Sequence, residues 1–426
     1  MPSRTFIVAV SCFCLFPPGL LAVGCDDIKP ADCYDLKPLL IDTQLNYPIL
    51  HQVLQNQAAY KVQIIYTQID RNADKIIHFT DYQYGLNESE YFYPASTVKL
   101  PVSLLALQWL EEQQVPALTK DSIMLSGTNR SLQSSALSDV TAENNLPSIA
   151  HYIKKILLVS DNDAYNRLYE LLGQDYINHQ LQVKGLMNTV INHRLSLPLP
   201  EFEQRHFNPI RFLDNDNNEL LSLPARYTER QYLNTSKPML GKAHIVNGKL
   251  VNIPMDFTDK NRFSLLDFNS VLKRIIFPKA FKPLQQFNIN QSSREFVLHH
   301  MTISPSDSLY PSYTVEDYPD NYAKFLLVAG DPATIPPHFN IVNKTGWAYG
   351  HAIDGAYIVD TDKNIEFLLV AVIYANQNDI LNDDKYQLEE IAKPFMRQLG
   401  QLIYSHELKR RRAAVPALTY QKTNRS

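Results

Sequence analysis

Apolar positions along the chain recur in three rhythms. At residues 45–60, Leu45, Ile49, Leu50, Val53, Leu54 and Ala58 fall at helical spacing and predict an amphipathic helix. Residues 61–69 alternate instead, and 75–84 answer them across Asp70-Arg71-Asn72-Ala73-Asp74, which reads as a hairpin. The third rhythm is nearly continuous: Val98, Leu100, Val102, Leu104, Leu105, Leu107 and Leu110, ending at Glu111-Glu112-Gln113-Gln114. A helix apolar around most of its circumference is a buried one. Helices are predicted at 146–158 and 164–172, the latter stopped by Gly173. Residues 196–262 lose the rhythm among Pro198, Pro200, Pro209 and Pro224, apart from a short hairpin turning at Asn247-Gly248. A helix returns at 264–276. Strands are predicted at 325–329, 338–344, 352–360 and 365–375, and a closing helix at 386–404.

Strands at both ends with helices between them predict a mixed α/β (α+β) architecture. An antiparallel sheet drawn from both chain ends is flanked by helices, with an all-α lobe inserted in it. The expected divisions are a tether at 25–44, a sheet lobe at 45–93 and 320–408, and a helical lobe at 94–319. That lobe carries an inserted segment at about 205–262, and a tail occupies 409–426. The basic run Lys409-Arg410-Arg411-Arg412 fits a helix C-terminus. With 45% hydrophobic and 20% charged residues the chain is of ordinary globular composition, and its net charge of −4 offers nothing to nucleic acid. Glycine is scarce at 13, and no phosphate-cradling glycine motif occurs. The expected partner is a small molecule, acted on by a monomer.

Residues 1–24 read as a signal peptide: Arg4, an apolar run at 6–23, and the small-x-small Ala22-Val23-Gly24. Export is therefore expected. Leu20-Leu21-Ala22-Val23-Gly24-Cys25 resembles a bacterial lipobox, with Ala22 where leucine is usual. Lipid on Cys25 would make the protein a membrane-anchored lipoprotein; a Cys25–Cys33 disulfide would make it a plain periplasmic one. The anchor is the only membrane contact expected. Cys12 and Cys14 leave with the signal, so no thiolate nucleophile or zinc–thiolate site remains.

Chemistry concentrates at the start of the buried helix, in Ser96-Thr97-Val98-Lys99. Residues i and i+3 share a helix face, so the Ser96 hydroxyl and the Lys99 amine are neighbours. A hydroxyl becomes a nucleophile when a base takes its proton, and burial weakens a lysine's hold on its own. Alone, Ser96 reads equally well as a helix cap, and Ser270-Val271-Leu272-Lys273 repeats the pattern in a helix where Lys273 most simply points to solvent. Two further stretches decide between them. Ser160-Asp161-Asn162 stands at a helix junction, and Lys344-Thr345-Gly346 ends a strand. Ser-x-x-Lys, Ser-Asp-Asn and Lys-Thr-Gly in that order form the set shared by class A β-lactamases and penicillin-binding proteins. The chain thus resembles the serine β-lactamase and D,D-peptidase superfamily, and is most similar to class A, over residues 45–405. The His193-Arg194 step resembles the entry to that family's omega loop.

The resemblance implies a β-lactamase/transpeptidase-like fold and an acyl-enzyme on Ser96. Lys99 takes or relays the serine proton, and Ser160 passes a proton to the departing nitrogen. Backbone N–H groups of Ser96 and Trp347 hold the oxyanion, each worth about 3–4 kcal/mol when removed. Asn162 holds the substrate's amide side chain, Lys344 and Thr345 bind its carboxylate, and Gly346 leaves it room. No cofactor or metal is implied; the pair His299-His300 reads as packing. Three departures stand out. The family's Glu-x-x-Leu-Asn pattern, whose glutamate activates the water of deacylation, is missing, leaving Glu201 or Glu203 as candidates or as solvated loop acids. Trp347 replaces a small residue. The stretch between Asn162 and Lys344 is long enough for an insertion over the substrate groove. β-Lactam hydrolysis, D,D-carboxypeptidase or related amidase/esterase action, and a non-catalytic cell-wall-binding lipoprotein all remain open.

Overall fold

Three strands from the N-terminal end and three from the C-terminal end make one sheet in this computed structural model, which describes residues 33–41, 43–72, 74–330 and 335–412. The signal peptide, Cys25 and its alternative bond to Cys33 lie outside the described residues, as does the end of the tail. The strands are β1 (Cys33–Asp35), β2 (Gln63–Arg71), β3 (Ile77–Tyr84), β4 (Phe339–Ala348), β5 (His351–Asp360) and β6 (Ile365–Tyr374), in the spatial order β1-β3-β2-β6-β5-β4. All neighbours are antiparallel except β1, which runs parallel to β3.

The α-helices of eight residues or more are α1 (Pro48–Gln55), α2 (Lys99–Gln113), α3 (Ile149–Val159), α4 (Asn162–Val183), α5 (Leu265–Ile276), α6 (Gln291–Thr302) and α7 (Lys393–Lys409). Strand β6 is buried along its whole length because both faces of the sheet are covered. Leu368, Val370 and Val372 face a core shared with α2, α4 and α5. Phe367, Leu369, Ala371 and Ile373 alternate with them and face a second core under α1 and α7. Every residue of α2 from Lys99 to Leu110 is buried, as its unbroken apolarity requires. Gly173 interrupts rather than ends its helix. It takes φ 75° inside α4, and the helix resumes after it.

The lobe inserted between β3 and β4 is mainly helical but also holds short strands. Ile210–Leu213 pairs with Ile123–Ser126 and with Glu219–Leu223. The Asn247-Gly248 turn joins Ala243–Val246 to Lys249–Val251, and Ala243–Val246 also runs parallel to Ile380–Leu381. Two further expectations are corrected. Residues 325–329 form a buried turn, not a strand, because the amides of Phe325 and Leu326 donate to the Asp354 carboxylate at 2.9 Å each and so are lost to any ladder. Lys273 does not reach solvent. Its ammonium is held by both oxygens of Asp81 on β3, at 2.7 and 2.8 Å. Among the described residues no helix is long and apolar enough to cross a membrane.

Candidate active site

The cleft is built where α2 begins, where α3 turns into α4, and along β4, which is an edge strand of the sheet. Ahead of α2, Ala95–Val98 forms a single 3-10 turn, and the Thr97 amide bonds back to Pro94 O at 3.1 Å. This turn sets half-buried Ser96 at the floor of a cleft of about 600 Å³. Gly346 lies against it so closely that an ideal Cβ there would stand 2.8 Å from the Ser96 nitrogen and 3.0 Å from both Pro94 O and Thr97 N. Only glycine lets the strand come this near. The backbone of Gly346–Trp347 therefore runs beside the Ser96 amide, and the Trp347 ring, 54% exposed, stands out into the cleft.

Lys99 is fully buried. Its Nζ donates to Ser160 O, to Ser160 Oγ at 3.2 Å and to Asn162 Oδ1 at 2.7 Å. Burial first, then the nearby positive charge of Lys344, brings its pKa well below the ordinary lysine value, against a smaller opposing effect of Asp161. Lys344 is buried too, and burial brings it down to about 7 although Asp354 pulls the other way. Its Nζ donates to Ser160 Oγ at 2.9 Å and to Thr345 O at 2.8 Å. The Ser160 hydroxyl thus accepts from two lysines, which occupies its lone pairs and leaves its own hydrogen to point elsewhere. Ser160 caps α3 in the left-handed region (φ 61°), and the Asp161 carboxylate caps α4 through the Ala164 amide at 2.8 Å.

The loop after Arg194 is closed by buried polar contacts. Arg194 Nε meets Glu170 Oε1 at 2.9 Å, its amide donates to Gln204 Oε1 at 2.9 Å, and Nη2 donates to His206 O at 2.7 Å. Asn166 grips Leu195 from both sides, donating to its carbonyl at 3.1 Å and accepting from its amide at 2.8 Å. The next residue, Ser196, then enters the cleft, where its hydroxyl accepts from Asn162 Nδ2 at 2.8 Å. Glu201 and Glu203 do not enter it. Glu203 is clamped by Arg130 at 2.6 and 2.9 Å, which lowers its pKa, and Glu201 pairs with Arg205 at 2.8 Å. Oppositely charged side chains nearer than the cleft have captured both acids.

Ser96, Lys99, Ser160, Asn162, Lys344, Thr345, Gly346 and Trp347 therefore converge, while Glu201 and Glu203 lie apart. Sequence reasoning missed Ser196. It directly follows His193-Arg194-Leu195, and no motif spacing in the sequence marks it. Ala95, Ser160, Ser196, Tyr349 and Asp384 all line the cleft with left-handed backbones. Such strained positions cost about 1–3 kcal/mol each and gather at functional sites. Among the described residues no three His, Cys, Asp or Glu side chains form a metal-holding group.

A family model described as "Beta-lactamase enzyme family" matches residues 49–406. No curated protein matches. Similar solved structures include L2 complexed with relebactam, at 13% identity over 86% of this chain and 99% of that one, TM-score 0.46. A beta lactamase from Xanthomonas campestris is 15% identical over 83% and 97%, TM-score 0.46. An ancestral class A beta-lactamase is 14% identical over 84% and 99%, again with a TM-score of 0.46.

Proposed function

This chain belongs to the beta-lactamase enzyme family, and from that premise we propose that it is a serine hydrolase whose Ser96 accepts the acyl group of a carboxylate-bearing amide. The substrate is a β-lactam or a peptide ending in D-Ala-D-Ala. In this reading Lys344 and Thr345 hold the substrate carboxylate, which lays the scissile carbonyl against Gly346 and Ser96. Burial weakens the hold of Lys99 on its own proton, and in the neutral form its lone pair would take the Ser96 proton. The Ser96 oxygen bonds to the carbonyl carbon, and the oxyanion rests on the amides of Ser96 and Trp347. The free hydrogen of Ser160 moves to the departing nitrogen as the C–N bond breaks, and Lys99 replaces it. The second hydrogen on Asn162 Nδ2 remains available for the substrate's side-chain carbonyl. One observation carries the proposal: the Ser160 hydroxyl shared by two pKa-lowered lysines.

Clearing the ester needs a base for water. Among the described residues, the polar side chain this loop sends into the cleft is that of Ser196, a hydroxyl and not a carboxylate, so the second half-reaction is slow. This favours D,D-carboxypeptidase-like or penicillin-binding behaviour over rapid β-lactam destruction. The test is intact-mass analysis after exposure to benzylpenicillin, with nitrocefin turnover in parallel. One long-lived penicilloyl group, absent in Ser96→Ala, is expected; an unlabelled protein would instead support a non-catalytic wall-binding role. We also propose export as a periplasmic protein or lipoprotein, on the strength of the N-terminal apolar run. The mass of the mature chain reads out whether Cys25 carries lipid.

A further inference from the structure

The cleft continues well past Ser96. Along β4 come Lys344 and Thr345, then Gly346 against Ser96, then Trp347, Ala348 and Tyr349 toward the tip of the hairpin with β5. At a rise of roughly 3.4 Å per residue, Tyr349 lies about 10 Å beyond Gly346. A substrate whose carboxylate sits at Lys344 and whose carbonyl sits at Ser96 must send its acyl side chain this way. The segment 376–386 folds over the hairpin tip: an ideal Cβ on Gly350 would stand 2.6 Å from Asn376 Cβ and 3.3 Å from the Tyr386 ring. The inserted segment braces it from behind, through the parallel pairing of Ala243–Val246 with Ile380–Leu381 and a bond from the Lys242 amide to Asp379 O at 2.9 Å. Asp384 and Tyr386 are in this way held as part of the cleft wall.

Asp384 is exposed there, fixed at φ 57°, and makes no hydrogen bond or ion pair among the described residues. The neighbouring Lys393 is taken by Glu389, so the wall keeps an excess of negative charge. Trp347, Tyr349 and Tyr386 are among the aromatic residues lining this cleft; the Tyr349 ring also packs edge-on against Tyr93 and Phe257 at 5.0 and 5.2 Å. Burial, together with the charges of Asp383 and Asp384, pushes the Tyr386 hydroxyl up to about 12, so that ring stays neutral. An unpaired carboxylate among aromatic faces is the chemistry that recognises an organic cation.

We infer that this end of the cleft is a cation subsite, in which Asp384, Trp347, Tyr349 and Tyr386 receive a terminal ammonium carried on the acyl side chain of the substrate. The inference rests on the acyl-transfer reading and names its substrate class: a carboxylate on the leaving side, an ammonium roughly 10 Å away on the acyl side.

Two penicillins test it, one acylated with 6-aminohexanoic acid and the other with its N-acetyl form, which differ only in the terminal charge. The readout is the second-order rate of Ser96 labelling by intact mass. The free amine is expected to label roughly tenfold faster, as an exposed ion pair joined to a cation–π contact allows. Asp384→Asn, which suits the left-handed backbone, should bring the ratio to near one. Raising the salt concentration should shrink the ratio in the unaltered protein. Equal rates for the two penicillins, or a ratio that survives Asp384→Asn, would overturn the subsite and leave acyl transfer standing. Failure of both to label would overturn acyl transfer and the subsite together.

Discussion

The side-chain amide of Asn162 donates to the hydroxyl of Ser196 at 2.8 Å. Its oxygen accepts from Lys99 at 2.7 Å, so a single asparagine ties the loop after Arg194 to the buried lysine of the Ser-x-x-Lys motif. The loop is rigid at that point because Asn166 holds both backbone groups of Leu195. A side chain at position 196 therefore shares the cleft with Ser96, and under the proposed acyl transfer its chemistry would set how the ester is cleared.

Replacing Ser196→Glu should put a general base where the loop already reaches. Release of the penicilloyl group is expected to accelerate by about 10²-fold, the low end of general-base contributions. Loss of the adduct with time, followed by mass, measures it. Glu201→Gln and Glu203→Gln should leave the release rate alone, since Arg205 and Arg130 hold those acids elsewhere.

Gly346→Ala should separate strand from helix. The added methyl would meet Ser96 N at 2.8 Å and Pro94 O at 3.0 Å, and these are backbone atoms that cannot swing aside. We expect labelling of Ser96 to fall at least about 100-fold, because a shift near 1 Å at reacting groups costs that much. Stability should drop by about 1–3 kcal/mol, the usual cost of overpacking. Labelling kinetics and urea unfolding give the two values.

If Lys344 holds the substrate carboxylate as proposed, recognition should depend on pH. In the free protein it holds its proton only below about 7, against an ordinary lysine value near 10.5. A bound carboxylate stabilises the ammonium, so the complex binds more protons than the free site above that point. Affinity for a carboxylate-bearing β-lactam should consequently fall as pH rises past about 7, by at most tenfold per unit. Its methyl ester should show no such loss. Apparent dissociation constants between pH 6 and 9, compared between acid and ester, carry the test.

Lys273 belongs to stability and not to chemistry. Its two contacts with Asp81 pin α5 to β3. Lys273→Met should lower unfolding stability by about 1–3 kcal/mol while Ser96 is labelled at the original rate. A collapse of labelling in a folded Lys273→Met protein would move this lysine into the catalytic description.

What the amino-acid order determined by itself was whatever depends on near neighbours. Alternation in β2 and β3, unbroken apolarity in α2, and the Asn247-Gly248 turn are local properties, because burial repeats with the period of the backbone. The three short motifs are local too: Ser96 sits in the 3-10 turn ahead of α2, Ser160 at the α3–α4 junction and Lys344 within β4. Only tertiary structure decided which Ser-x-x-Lys faces a cleft: Lys99 meets Ser160 and Asn162, whereas Lys273 is taken by a partner 192 residues away. It also turned residues 325–329 away from the sheet through Asp354, drew Glu201 and Glu203 to arginines, and brought Ser196 inward through Asn166. A side chain's direction is settled by the strongest partner that folding brings within reach, and that partner is seldom near it in sequence.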